Sequence, residues 1–126
     1  MINANELRIG NWVTELRNSR IVSIDGIEPN HEFIWVNYLN GFGQYKVGID
    51  NIEPIPLTPE ILEKCGFDRN CILKIYQGVN IEWSYGKEVW LTKEGEVIYE
   101  FENTQHLHQL QNLYFALTNE ELNYTP

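Results

Sequence analysis

The sequence predicts an α+β fold, and three observations carry that prediction. Two stretches, residues 6–57 and 70–103, are built of short apolar runs punctuated by turn residues. Between them lies a short helix whose two ends are both signalled. The last apolar stripe has helical rather than strand spacing. The expected architecture is an N-terminal SH3-like or bent β unit over 1–57, then a second unit over 58–126. That second unit comprises the short capped helix and a four-stranded antiparallel meander, covered by a C-terminal amphipathic helix.

In the first stretch, Leu7, Ile9, Trp12 and Val13 flank Gly10-Asn11, and Ile21, Val22, Ile24 and Ile27 surround Asp25-Gly26. Phe33, Trp35 and Tyr38 form an aromatic and β-branched run, and Asn40-Gly41 follows as a hairpin-turn signal. Tyr45, Val47 and Ile49 alternate with polar residues on the return. Several short strands in so few residues suit a small bent sheet, and Ile9-Gly10-Asn11-Trp12-Val13 looks like the first strand of an SH3-like barrel.

At the join, Thr58 is a good N-cap and Pro59 suits the first helical position. Leu57 and Leu62 occupy the staple positions, and Gly66 with Phe67 predicts a Schellman ending, so the helix spans 59–65. The meander follows. Cys71, Leu73 and Ile75 alternate with polar or outward residues, as do Val79, Ile81 and Trp83, then Val89 and Leu91, then Val97, Tyr99 and Phe101. Turns are expected at Gln77-Gly78, Gly86 and Lys93-Glu94-Gly95. Leu107, Leu110, Tyr114 and Leu117 define a helix over 105–117, capped by Asn103 or Thr104 and ended by Asn119. The tail after it reads as polar and loose.

Charge excludes some function classes. Nine basic residues face eighteen acidic ones, a net charge of −9. A nucleic-acid binder should carry a basic footprint, so this balance argues against direct nucleic-acid binding. No apolar run is long enough to span a membrane. The residues 1–6 have neither a basic nor an apolar stretch, so no signal peptide is expected and a cytoplasmic setting is. Cys65 and Cys71 are too few for a disulfide scaffold and read as free thiols in a reducing compartment.

Catalytic and metal motifs are not evident. His106 and His108, two apart on a predicted helix, would point about 200° apart and read as surface residues. There is no nucleophile elbow and no phosphate-binding glycine loop. No cofactor, metal site or catalytic residue is therefore expected. The acidic row Glu96, Glu100 and Glu102, which alternation places on one strand face with Ile98, reads first as a solvated edge and second as an acid/base or cation site. Trp90 falls on the outer face of the meander beside Glu88, and Tyr76 also leaves the inner register. An aromatic and acidic surface of this kind suits protein binding, with Trp90, Tyr76, Glu88, Glu96, Glu100 and Glu102 as its candidates. The same face could instead pack on the N-terminal unit.

Three segments carry a resemblance. Leu7-Arg8-Ile9-Gly10-Asn11-Trp12-Val13, the stretch from Ile55-Pro56-Leu57-Thr58-Pro59 through Gly66-Phe67, and His108-Gln109-Leu110-Gln111-Asn112-Leu113-Tyr114-Phe115-Ala116-Leu117-Thr118 resemble a family of small uncharacterised proteins of Bacteroidetes phages, prophages and mobile elements. The family usually has Gly where this chain has Asn119, and both suit a left-handed helix end. The resemblance implies a mobile-element protein in a bacterial cytoplasm and brings no activity with it. The leading expectation is a non-enzymatic protein-binding module. Its sharp form is a counter-defence inhibitor occupying the basic groove of a host nucleic-acid-handling enzyme such as a CRISPR nuclease. The alternatives are an accessory protein binding nucleic acid through Arg8, Arg17, Arg20 and Lys46 of the N-terminal unit, and a small enzyme using the Glu96/Glu100/Glu102 face.

Overall fold

The computed structural model describes residues 2–37, 43–84 and 88–126. The Asn40-Gly41 and Gly86 turns expected above lie outside these. The fold is α+β, with nine strands in two antiparallel sheets and two α-helices among the described residues. Contacts divide the chain into two compact units, Met1–Ile55 and Pro56–Pro126, and the break falls within Pro54-Ile55-Pro56.

The first unit holds strands β1 (Trp12–Glu15), β2 (Arg20–Ile27), β3 (Phe33–Asn37), β4 (Gln44–Gly48) and β5 (Ile52–Glu53). Their order is β4-β3-β2-β1-β5. A 3-10 turn over Ile49–Asn51 brings β5 back to β1, an SH3-like strand order. Alternation explains the core. Val13, Val22, Ile24, Ile34, Val36, Val47 and Ile52 are buried together, whereas Phe33 and Trp35 on the other face of β3 are exposed.

Two expectations change here. Ile9-Gly10-Asn11 is a turn rather than the first strand: Gly10 has φ +97°, Ile9 is exposed, and the Asn11 side chain is buried and accepts the Arg8 N–H at 2.7 Å. Asp25-Gly26 is not a turn. The β2–β3 register shifts there, so the pair forms a β-bulge that bends a single long strand. The chain reverses later, where His31 takes φ +59° and donates its N–H to the Glu28 carbonyl.

In the second unit, helix α1 (Pro59–Lys64) ends as its sequence predicts. The Thr58 hydroxyl accepts the Ile61 N–H at 3.2 Å. Gly66 has φ +94°, its N–H bonds the Glu63 carbonyl, and the Phe67 N–H bonds the Leu62 carbonyl. These are the two bonds of the Schellman motif, and Leu62 and Phe67 are both buried beside them.

The second sheet is β6 (Ile72–Tyr76), β7 (Val79–Ser84), β8 (Glu88–Lys93) and β9 (Glu96–Phe101), in that order. Cys71 precedes β6 rather than alternating within it. It takes φ +61° in a turn whose amides, those of Asn70 and Ile72, donate to the Asp68 carboxylate. Glu94 and Gly95 both have positive φ, the pattern of a two-residue type I′ turn between β8 and β9.

Helix α2 (Leu107–Thr118) starts later than 105 and is capped by His106, not by Asn103 or Thr104. Residues 105 and 106 are held extended, because the Leu57 N–H bonds the Gln105 carbonyl and Pro56 bridges His106. The Gln109 side chain then accepts the His106 N–H, completing a capping box. Asn119 ends the helix with φ +60°. The tail after it is not loose: Leu122 and Tyr124 are buried, and the Thr125 N–H bonds the Lys64 carbonyl. The two apolar residues are spaced two apart, as an extended segment requires to bury one side.

Candidate surface on the second sheet

Cross-strand pairing sets which side chains share a face. Glu82 pairs with Trp90, and Trp90 pairs with Glu100, so an indole is flanked by two carboxylates. Leu91 pairs with Tyr99, and Val89 with Phe101, on the opposite face. Between Leu91 and Thr92 the register shifts, and Ile98 is the extra residue. The next pairs are Thr92 with Val97 and Lys93 with Glu96.

That bulge corrects the acidic row. Simple alternation places Glu96, Glu100 and Glu102 together. The extra residue moves Glu96 to the face of Lys93 and Leu91, away from Glu100. What meets Glu100 and Glu102 instead is Glu88, at the start of β8. One carboxylate oxygen from each of the three lies within 4.8 Å of the others. Glu100 and Glu102 are exposed and Glu88 is half-buried.

The aromatic candidates separate. Trp90 is half-buried rather than exposed, and its indole N–H is buried without a hydrogen-bond partner among the described residues. It shares its face with Glu82 and Glu100 as a half-buried rather than a protruding side chain. Tyr76 is exposed but sits on β6, the far edge of the sheet, roughly 14 Å from β9 at ordinary strand spacing. Its hydroxyl donates to the Leu117 carbonyl at 2.9 Å, tying β6 to the end of α2. The structure thus groups Glu88, Glu100 and Glu102 near Trp90, and leaves Tyr76 and Glu96 apart.

Alternation also missed an apolar surface on β9. Val97, Tyr99 and Phe101 were expected to face inward. All six residues of the strand are instead exposed or half-exposed, with Val97 at 45%, Ile98 at 53% and Tyr99 at 60%. The bulge and the edge position together prevent the strand from burying a face. No sequence signal marks the bulge. The acidic content of the strand did mark it as an edge.

The histidines also differ from expectation. His106 lies outside the helix, so the angular argument for a helical pair does not apply. Its ring stacks on that of His108 with centroids 6.0 Å apart. His108 is buried, not a surface residue. Both cysteines are free thiols; burial pushes the Cys65 thiol up to about 12.

In the first unit, a cleft of about 350 Å³ is lined by Glu15, Arg17, Phe33, Tyr45, Lys46 and Asn51 among others. Two of its charged groups, Glu15 and Lys46, are engaged. The buried Glu15 carboxylate accepts the Arg17 and Asn18 N–H groups. Lys46 lies 3.8 Å from Glu28 and 4.5 Å above the Phe33 ring, and Glu28 also accepts the Trp35 indole N–H. One of the four cations proposed for nucleic acid is therefore already neutralised.

No helix among the described residues is long and apolar enough to cross a membrane. The chain matches no protein-family model, no curated protein and no solved structure.

Proposed function

We propose that this chain is a non-enzymatic protein-binding module whose contact surface is the β8–β9 end of the second sheet. The observation that carries the reading is the juxtaposition of two features on one edge. Three carboxylates converge within 4.8 Å, and Val97, Ile98 and Tyr99 stand exposed on the same strand. Holding like charges together costs free energy, and leaving large apolar residues in water forgoes burial. A partner with cations beside apolar residues would relieve both.

The net charge of −9 supports a partner with a basic surface. In the phage or mobile-element setting that the sequence resemblance implies, the natural targets are host nucleic-acid-handling enzymes, whose grooves are basic. Occupying such a groove would make the chain a counter-defence inhibitor acting in the bacterial cytoplasm. Capture of a partner from host lysate by tagged wild-type chain, compared with Glu88→Gln/Glu100→Gln/Glu102→Gln, tests the module reading. The expected result is one specific partner, lost at high salt and lost in the variant. A partner retained equally by the variant would place binding elsewhere. For the counter-defence form, expression of the chain should raise the plating of a phage restricted by a nuclease; unchanged plating across nuclease systems would remove it.

A further inference from the structure

β9 is the last strand of its sheet, bordered by β8 alone. Among the described residues its outer row of backbone N–H and C=O groups has no strand partner, and such a row is a template for another chain. Five of its six residues are exposed, more than in any other described strand. The opposite edge is occupied differently. There the Ile72 carbonyl accepts the Asp68 N–H, and Tyr76 is tied to Leu117.

Two properties select the occupant. The first is charge. Glu96, Glu100 and Glu102 lie on or just beyond β9, with Glu88 beside them. A second copy would bring the same glutamates and another net −9 against this edge, so self-pairing is opposed. A strand carrying lysine or arginine is favoured by the same charges. The second property is a shallow cleft of about 380 Å³ along the end of β9, lined by Tyr99 to Thr104. The Tyr99 and Phe101 rings lie 4.8 Å apart there, on the face opposite Glu100. The two faces of the edge therefore differ, carboxylates on one suiting cationic side chains and rings on the other suiting apolar ones.

We propose that β9 takes up a basic, extended segment of a protein partner as a fifth strand of the second sheet. Main-chain hydrogen bonds to β9 supply affinity. Lysine or arginine side chains at alternate positions meet Glu100 and Glu102, and apolar residues between them cover Tyr99 and Phe101 on the other face. This rests on the binding-module reading and gives its mode and partner chemistry. The glutamates then act as a filter: they repel acidic strands and further copies, and admit basic ones.

The probe is a fluorescent peptide of alternating lysine and valine, as long as β9, titrated with the full chain at low salt. Three controls accompany it: the same peptide N-methylated at every backbone amide, a glutamate-for-lysine peptide, and the Glu88→Gln/Glu100→Gln/Glu102→Gln chain. The parent peptide should bind and slow amide exchange over 96–101. N-methylation should weaken binding at least about tenfold by removing several main-chain bonds. The triple variant should weaken it about tenfold, since three ion pairs at a largely solvated site each contribute a few-fold. The glutamate peptide should not bind. Equal binding of the N-methylated peptide would overturn strand addition while leaving the acidic-surface module standing. Failure of the parent peptide, or protection confined to other strands, would overturn the inference, and partner capture would still judge the module separately. Sedimentation of the chain as a dimer that Tyr99→Ser dissociates would assign the edge to a second copy and overturn the proposal.

Discussion

Glu100→Gln should stabilise the protein, and the size of the gain can be worked from the carboxylate geometry. Glu88, Glu100 and Glu102 each place an oxygen within 4.8 Å of the other two. At that separation two unit charges repel by about 0.9 kcal/mol in a water-like dielectric. Neutralising Glu100 removes two of the three repulsions. At physiological ionic strength, screening over a length of about 8 Å reduces the gain to about 1 kcal/mol; at 1 M salt, with a length of about 3 Å, it falls to about 0.3 kcal/mol. The assay is urea unfolding of wild type and variant at both salts. The midpoint should rise at low salt with an unchanged denaturant slope, and the difference should shrink at high salt. A loss of stability, or a gain that salt leaves untouched, would refute the reasoning: the carboxylates would then not be held together at a cost.

Other outcomes follow from single positions. Gly66→Ala forces a Cβ into a left-handed backbone at φ +94° and should cost about 1 kcal/mol or more, with a lowered unfolding midpoint as the readout. Glu94→Asn should stabilise the fold by roughly 0.5–1 kcal/mol, read as a raised midpoint, because Asn tolerates the positive φ of the type I′ turn better than Glu. The Cys65 thiol is held neutral up to about 12 against an ordinary 9.0, so the folded state retains its proton where the unfolded chain loses it. Stability should therefore be full below pH 9 and fall as pH rises from about 9 towards about 12. Cys65→Ala should flatten that fall in part, with Tyr124, also raised by burial and by the neighbouring Cys65, supplying the remainder. An identical pH dependence in the Cys65→Ala chain would show that the thiol is not buried as described.

Legibility in the sequence tracked the range of the interaction concerned. The ends of α1 depend on residues one to four apart, and Thr58, Pro59, Gly66 and Phe67 made them readable. Alternation placed the buried Ile81 of β7, but it missed the bulge at Asp25-Gly26 in β2 and favoured the aromatic face of β3 over the buried Ile34 and Val36. The start of α2 was misplaced because residues 105 and 106 are held by Pro56 and Leu57, partners about fifty positions away that local propensity does not register. The candidate surface was partly readable. Composition and alternation located an acidic strand beside Trp90. The Ile98 bulge, which carries no distinctive residue, exchanged Glu96 for Glu88 and moved Val97 to the face opposite Tyr99. A one-residue insertion reverses faces, so the most local of irregularities changed the composition of the site most.

On the proposed reading, Glu88, Glu100 and Glu102 carry partner binding. The most direct test is the dissociation constant of the captured partner, measured against salt concentration for the wild type and for the triple Gln variant. Wild-type binding should weaken steeply with salt. The variant should bind more weakly at low salt, with a shallower slope, and the two curves should converge as salt rises. Superimposed curves, with equal affinity and equal slope, would contradict the claim.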